Sequence, residues 1–385
     1  MNNKKKILVF IDWFLPGYKA GGPIQSCANL IDHLKDEYGF SVVTRNTDYC
    51  ETQPYSTIKS NEWNVLPNGA KVYYFSSDKL SRKNIKTLID NEQFDFLYLN
   101  GIFSFYFTLL PLLYYSRRKQ SQTKIIAARG MFAQSALSIK KTKKRFFLWA
   151  IKITKLFENV VFHATTLQEA EDITTVLGNK TKIKIAPNLS KKKNIENLTQ
   201  RTKEKGFVRI VNVARISPEK NLKYALEVLQ KVKGKLEFDI YGPIYNEQYW
   251  HECLALIQKM PSNIKVTYKQ SIESEKIGEE LKKYHFMFMP TQGENFGHII
   301  LESLSSGCPV IISDQTVWKN LESRNSGWDL PLLRKDDFVN IIEKTIEMSQ
   351  EEYNILSKNA FDYALEFINN KEMIEQNKNL FNSIS

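Results

Sequence analysis

At 385 residues the chain is longer than one ordinary core requires and long enough for two domains of about 150–200 residues each. With 42% hydrophobic, 12% aromatic and 25% charged residues it can pack a sizeable interior, which excludes a disordered or collagen-like chain. Lys and Arg number 54 against 42 Asp and Glu, a net charge of +12; up to Ser190 there are 27 basic and 15 acidic residues, and beyond it 27 of each. Such a one-sided basic field points to an anionic partner: nucleic acid, a membrane surface or a phosphorylated substrate. The longest apolar runs, such as 103–115, fall short of the roughly 18 residues needed to span a bilayer. The run 7–11 behind Lys4-Lys5-Lys6 is too short for a signal peptide, so the expected location is the cytoplasm. Cys27, Cys50, Cys253 and Cys308 lie too far apart for a disulfide framework or a zinc knuckle and are expected to be reduced.

Strands are predicted at 6–11, 41–45, 71–75, 94–99, 124–128, 160–163 and 182–186, with helices such as 24–35, 85–91 and 167–177 between them. The polar run 190–206, containing Lys191-Lys192-Lys193, reads as a linker. The alternation then restarts with strands at 208–213, 236–241, 264–268, 285–289 and 309–313 and helices at 219–232, 246–259, 273–283 and 298–306. The expected architecture is α/β: two tandem Rossmann-like doubly wound domains, 1–189 and 207–365, with a cleft between them. A C-terminal helical segment, 366–385, caps the second domain or crosses back to the first. Ligands of open parallel sheets bind at the carboxyl ends of the strands, so chemistry is sought in strand-to-helix loops.

Three loops stand out. The first, 12–23, holds Gly17 and the pair Gly21-Gly22 before a helix start, a place where backbone approaches an anion. It is not G-x-G-x-x-G, and Arg45 ends the second strand where an acid would be needed, so a nicotinamide dinucleotide site is disfavoured. In the second, Arg215 and Lys220 flank an expected helix start with Ser217 as N-cap and Pro218 at the first position. Two cations there face an unfavourable dipole unless an anion such as a diphosphate sits between them. The third runs from Gly293 through Glu294, Asn295, Phe296, Gly297 and His298 into a helix that carries Glu302 and ends at Gly307. Eight helical positions rise about 12 Å, too far for a hydrolase carboxylate pair, so the two acids are expected to grip different parts of one extended ligand. The amide groups of 296–298 would meet its phosphates.

This third segment resembles the E-x7-E signature of the group 1 glycosyltransferases, retaining enzymes of GT-B fold. Arg215 and Lys220 are similar to that family's R-x4-K pair, and Gly21-Gly22 to its N-terminal glycine loop; Thr166-x-x-Glu169 and Pro187-Asn188 are also similar. The resemblance implies that Arg215 and Lys220 neutralise a donor diphosphate, that Glu294 holds the transferred sugar and that Glu302 holds the ribose, making Glu294, Arg215 and Lys220 the catalytic set. Gly21, Gly22, Asn295, Phe296, Gly297 and His298 complete the donor site it implies. It implies no metal and no cofactor, the nucleotide-sugar being a substrate. One departure is Arg129-Gly130-Met131, where relatives place a histidine; Arg129 and His163 are candidate contacts for an acceptor or a phosphate.

The stretch 138–162 interleaves cations with aromatic and aliphatic residues, and Lys140, Lys141, Lys143, Lys144 and Arg145 are candidate contacts for an anionic membrane. The resulting expectation is a transferase moving sugar from a UDP- or GDP-sugar to a lipid-linked or saccharide acceptor in bacterial surface polysaccharide assembly (O-antigen, capsule or exopolysaccharide). It would be peripheral on the cytoplasmic face of the inner membrane. A sugar-nucleotide epimerase of the same fold is the alternative. A nucleic-acid-binding protein is a third reading, but the sequence has no helix-turn-helix, zinc finger or aromatic RNA platform to support it.

Overall fold

The computed structural model describes residues 4–116, 122–133, 137, 141–192 and 198–382. It divides into two compact units, Met1–Lys192 joined by Asn370–Ser385, and Lys193–Asn369.

The first unit runs β1 (Lys5–Phe10), α1 (Gly22–Leu34), β2 (Tyr38–Arg45), β3 (Trp63–Val65), β4 (Lys71–Phe75), α2 (Arg82–Asn91) and β5 (Phe96–Asn100). A π-helical turn, Phe105–Leu109, leads into α3 (Leu110–Ser116), followed by β6 (Thr123–Ala127), α4 (Lys141–Thr154), β7 (Val160–Ala164), α5 (Leu167–Leu177) and β8 (Lys182–Ile185). Its eight-stranded sheet has the order β3-β4-β2-β1-β5-β6-β7-β8, parallel except for the edge strand β3, which pairs antiparallel with β4. Every residue of β5 and β7 is buried, the pattern of strands covered on both faces by helices. On α1, Ile24, Cys27, Leu30, Ile31 and Leu34 recur at helical spacing and are all buried. Ser81 and Thr166 cap α2 and α5, their hydroxyls accepting from the Asn84 and Glu169 amides.

The second unit runs β9 (Phe207–Val213), a 3-10 turn (Pro218–Lys220), α6 (Leu222–Leu229), β10 (Lys235–Tyr241), α7 (Glu247–Ile257), β11 (Ile264–Tyr268), α8 (Ile277–Leu281) and β12 (Phe286–Met289). Then come α9 (His298–Ser305), β13 (Val310–Ser313), β14 (Gly327–Leu330), α10 (Lys335–Glu347) and α11 (Gln350–Ile368). The sheet order is β11-β10-β9-β12-β13-β14, every pairing parallel, a doubly wound arrangement whose order reverses between β9 and β12. The chain then returns to the first unit as α12 (Lys371–Asn379). There Phe381 is fully buried against Tyr38 (5.4 Å between ring centroids) and Phe96 (5.6 Å), and Asn377 Nδ2 donates to the Pro187 carbonyl (2.8 Å).

Two expectations need correction. The polar run 190–206 is not a free linker, because Arg201 and Lys203 are buried in the second unit. The Arg201 guanidinium donates to the carbonyls of Lys282 (2.8 Å), Gly307 (2.8 Å) and Ser306 (2.5 Å), closing the carboxyl ends of α8 and α9 where carbonyls lack helical partners. Lys203 Nζ donates to Ile346 and Met348, and burial lowers its pKa to about 8. The second correction concerns the helix expected from 219. It begins only at Leu222, because Asn221 sits in the left-handed region (φ 61°) and separates it from the 3-10 turn. The strand β14 was not foreseen. Among the described residues no helix is long and apolar enough to cross a membrane.

Candidate active site

In the second unit, the loops after β9 and β12 leave neighbouring strands at the point where strand order reverses. They are tied together by hydrogen bonds to backbone carbonyls. The Gln292 amide and the Thr291 hydroxyl both donate to the Glu219 carbonyl (2.9 and 3.0 Å). Asn221 Nδ2 donates to the Pro290 carbonyl (2.9 Å). This stitching brings Lys220 Nζ onto Glu294 Oε2 in an ion pair whose side chains are only 14% and 18% exposed. Arg215 lies over the Tyr245 ring (4.7 Å) and 3.7 Å from Glu219 in the same loop. Residues 74 positions apart in the chain thus share one site.

The Glu294 amide donates to the Gln315 carbonyl (3.0 Å), fixing the start of the signature loop. Gly297 has φ 76°, and a Cβ there would lie 2.7 Å from Ile300 Cδ1, so the turn into α9 requires glycine. The helix begins at His298, so only the last four of the eight steps from Glu294 to Glu302 are helical. The 12 Å expectation is therefore corrected to a single turn of rise plus a loop. His298 and Glu302, four apart and both partly exposed, share one face. Asn295 is also partly exposed. Phe296 is 7% exposed, packed on Trp318 and Phe367, and its carbonyl accepts from Trp318 Nε1 (2.6 Å). Its side chain supports the loop, which leaves only its backbone as a candidate for the expected donor contact.

In the first unit, Gly21 (φ 78°) caps α1, and a Cβ added at Gly22 would meet nothing within 4 Å, so this backbone is open to approach. The rest of the loop is pinned, since Asp48 accepts from the amides of Tyr18 (2.9 Å), Lys19 (3.2 Å) and Tyr49 (2.7 Å). Arg129, at positive φ (53°), donates Nε to Asn100 Oδ1 (2.8 Å), NH1 to Asn188 Oδ1 (2.6 Å) and NH2 to the Tyr98 hydroxyl (3.1 Å). All three partners are neutral. Glu169 holds the turn by accepting from the Gly130 amide (2.5 Å) and the Thr165 amide (2.7 Å). Tyr98 in turn donates to His163 Nδ1 (2.8 Å), whose Nε2 donates to the Ala186 carbonyl (2.7 Å). His163 is 1% exposed, and burial, aided by the Arg129 charge, pushes its pKa down to about 3. With both ring nitrogens engaged it has no capacity left for a ligand; the expectation of an acceptor or phosphate contact there is withdrawn.

Of the cations expected to meet a membrane, Lys140 and the side chains of Lys141 and Lys143 lie outside the described residues. Lys144 folds back over the Phe103 ring (5.0 Å), and Arg145 is exposed.

Residues 193–363 match the family described as glycosyl transferases group 1. This segment is a group 1 glycosyltransferase domain. Solved structures share the fold over nearly the whole chain. Sucrose-phosphate synthase from Thermosynechococcus elongatus superposes with a TM-score of 0.75 at 14% identity, covering 98% of both chains. Anabaena HepE in complex with UDP-glucose gives 0.70 at 14% identity, covering 98% of this chain and 100% of that one. WaaG, a glycosyltransferase involved in lipopolysaccharide biosynthesis, gives 0.64 at 10% identity with 98% of both chains covered. The fold is GT-B. No curated protein sequence matches the chain.

One pair in the first unit escaped the sequence reading. Asp12, at the carboxyl end of β1, accepts from the Ser104 hydroxyl (2.9 Å) and faces Arg45 NH2 (3.5 Å). Arg45 lies between the Trp13 and Phe107 rings (5.7 and 5.1 Å). Burial raises the Asp12 carboxyl above its ordinary pKa, against the opposing pull of Ser104 and Arg45. Asp12 carries no spacing signature; only its place at a strand end beside the strand-order reversal between β1 and β5 could have marked it.

Proposed function

We propose that this glycosyltransferase moves a sugar from a UDP- or GDP-sugar to a lipid-linked or saccharide acceptor, with retained anomeric configuration, in bacterial surface polysaccharide assembly. The observation that carries the reading is the Lys220–Glu294 pair with Arg215 beside it at the strand-order reversal of the second unit. The leaving nucleoside diphosphate gains charge as the glycosidic bond breaks. Lys220 and Arg215 neutralise that charge, and the amides of residues 296–298, at the start of α9, add their dipoles. Glu294, already aligned by Lys220, accepts from hydroxyls of the transferred sugar, while Glu302 accepts from the ribose. Retention then follows from attack on the face the diphosphate leaves, with a diphosphate oxygen taking the acceptor proton. No metal or cofactor takes part, because the two cations and the amides supply the positive field.

Arg129, whose charge is met by neutral acceptors, is the phosphate contact of the acceptor side. The protein works peripherally on the cytoplasmic face of the inner membrane. Support comes from the GT-B likeness to HepE, solved with UDP-glucose, and to WaaG of lipopolysaccharide biosynthesis.

The test is thermal stabilisation by UDP, GDP and ADP, then a screen of the matching nucleotide-sugars with the anomeric linkage of the product read by NMR, with and without EDTA. Stabilisation by one diphosphate, an axial-to-axial product and insensitivity to EDTA are expected. No shift with any diphosphate would end the assignment.

A further inference from the structure

Helix α4 has two apolar faces where a surface helix ordinarily has one. Phe147, Leu148 and Ile151 point into the core of the first unit. Phe146, Trp149 and Ile153 stand 68%, 58% and 60% exposed. Their spacing, three and then four residues, places them within an arc of about 60° on the side away from that core. The Phe146 and Trp149 rings lie 5.5 Å apart, so the face begins with a joined aromatic pair. Elsewhere among the described residues the large exposed apolar side chains, such as Val65, Leu167 and Leu333, do not recur on one helix face, which is ordinary for a protein surface.

The charge of the sequence segment that carries this helix is equally one-sided. Residues 96–157 contain twelve Lys and Arg and no Asp or Glu, which accounts for the whole +12 of the chain. Arg145 and Lys152, both exposed, lie on one flank of the apolar arc.

We propose that α4 is an interfacial anchor, with Phe146, Trp149 and Ile153 inserted at the headgroup–acyl boundary of an anionic bilayer while Arg145 and Lys152 meet its headgroups. Aromatic and aliphatic side chains backed by a strong positive field fit a negatively charged plane with an apolar layer beneath it. A second copy of the chain is disfavoured as the occupant, because a symmetric contact here would face two acid-free basic segments against each other. The inference rests on the peripheral-membrane reading above and gives it an insertion face. It does not depend on the donor assignment.

The experiment uses the full chain and sedimentation with vesicles of equal parts phosphatidylcholine and phosphatidylglycerol, or phosphatidylcholine alone, at physiological salt. The wild type should bind the anionic vesicles. The combined variant Phe146→Ser, Trp149→Ser, Ile153→Ser should bind about tenfold more weakly, as should Arg145→Gln with Lys152→Gln. Quenching of tryptophan fluorescence by brominated lipid should fall sharply in Trp149→Phe, which keeps an apolar anchor and hence vesicle binding. Thermal stabilisation by UDP or GDP, followed in parallel, should be unchanged in all variants, so a failed donor site and a failed anchor are told apart. Three outcomes would overturn the proposal: undiminished binding of the serine variant, quenching equal in wild type and Trp149→Phe, or a dimer that these serines dissolve without any vesicle binding by the wild type.

Discussion

The two units share a strand plan and differ in what stands at its turning point. In both, the order reverses beside the first strand of the unit, between β1 and β5 and between β9 and β12. In the second unit that point holds an ion pair, Lys220–Glu294, drawn together by hydrogen bonds to backbone carbonyls between its two loops. In the first it holds Asp12 against Arg45 and Ser104, with Arg129 on neutral acceptors on the next strand along. The family match follows the second unit, and the excess charge follows the first. A common backbone frame thus places loops without dictating their chemistry.

That contrast can be broken most directly at Glu294. Glu294→Ala should lower kcat about 1,000-fold while leaving stabilisation by free nucleoside diphosphate intact; normal turnover would move the chemistry out of the second unit. Lys220→Ala comes next, with kcat down about 100-fold and donor KM raised together, because its contact strengthens as the leaving group charges. Arg129→Met probes the first unit, and an acceptor KM raised about tenfold with donor KM unchanged is expected there, whereas a fall in melting temperature alone would make Arg129 purely structural.

Acid should weaken both units alike. His163 and His285 have folded pKa values of about 3 and about 4, lowered first by burial, against an ordinary 6.5. The unfolded chain therefore takes up protons that the folded chain refuses, and stability falls as pH drops through that window. By about pH 5 the loss is about 2 kcal/mol for each histidine, seen as lower melting temperatures in scans from neutral pH downward. The smallest effect belongs to Gly297→Ala. It should cost about 1–2 kcal/mol through its left-handed backbone, measurable by denaturant titration.

Much of the second unit was legible because its signals are local. Gly297, Gly307 and the apolar stripe of α9 mark a turn, a helix and its end within one stretch. The strand alternation likewise announced parallel sheets. The run 190–206 misled because Arg201 and Lys203 look like solvent residues until the carbonyls they satisfy, from residues 281–307 and 346–348, come into place. His163 misled for a related reason. A histidine at a strand end has the profile of a ligand contact, and only the neighbours Tyr98 and Ala186 show both nitrogens taken.

What the sequence settled by itself is the set of short-range choices: which runs extend, which coil, where glycine must turn the backbone, and which loop carries paired acids and bases. Those follow from side-chain period and backbone sterics, which act over a few residues. Only the tertiary structure decided that Lys220 meets Glu294, that Arg129 rests on Asn100, Asn188 and Tyr98, and that Phe146, Trp149 and Ile153 face outward while Phe147, Leu148 and Ile151 face in. A helix with two apolar faces does not say which of them will be covered. That depends on what the rest of the chain brings against it.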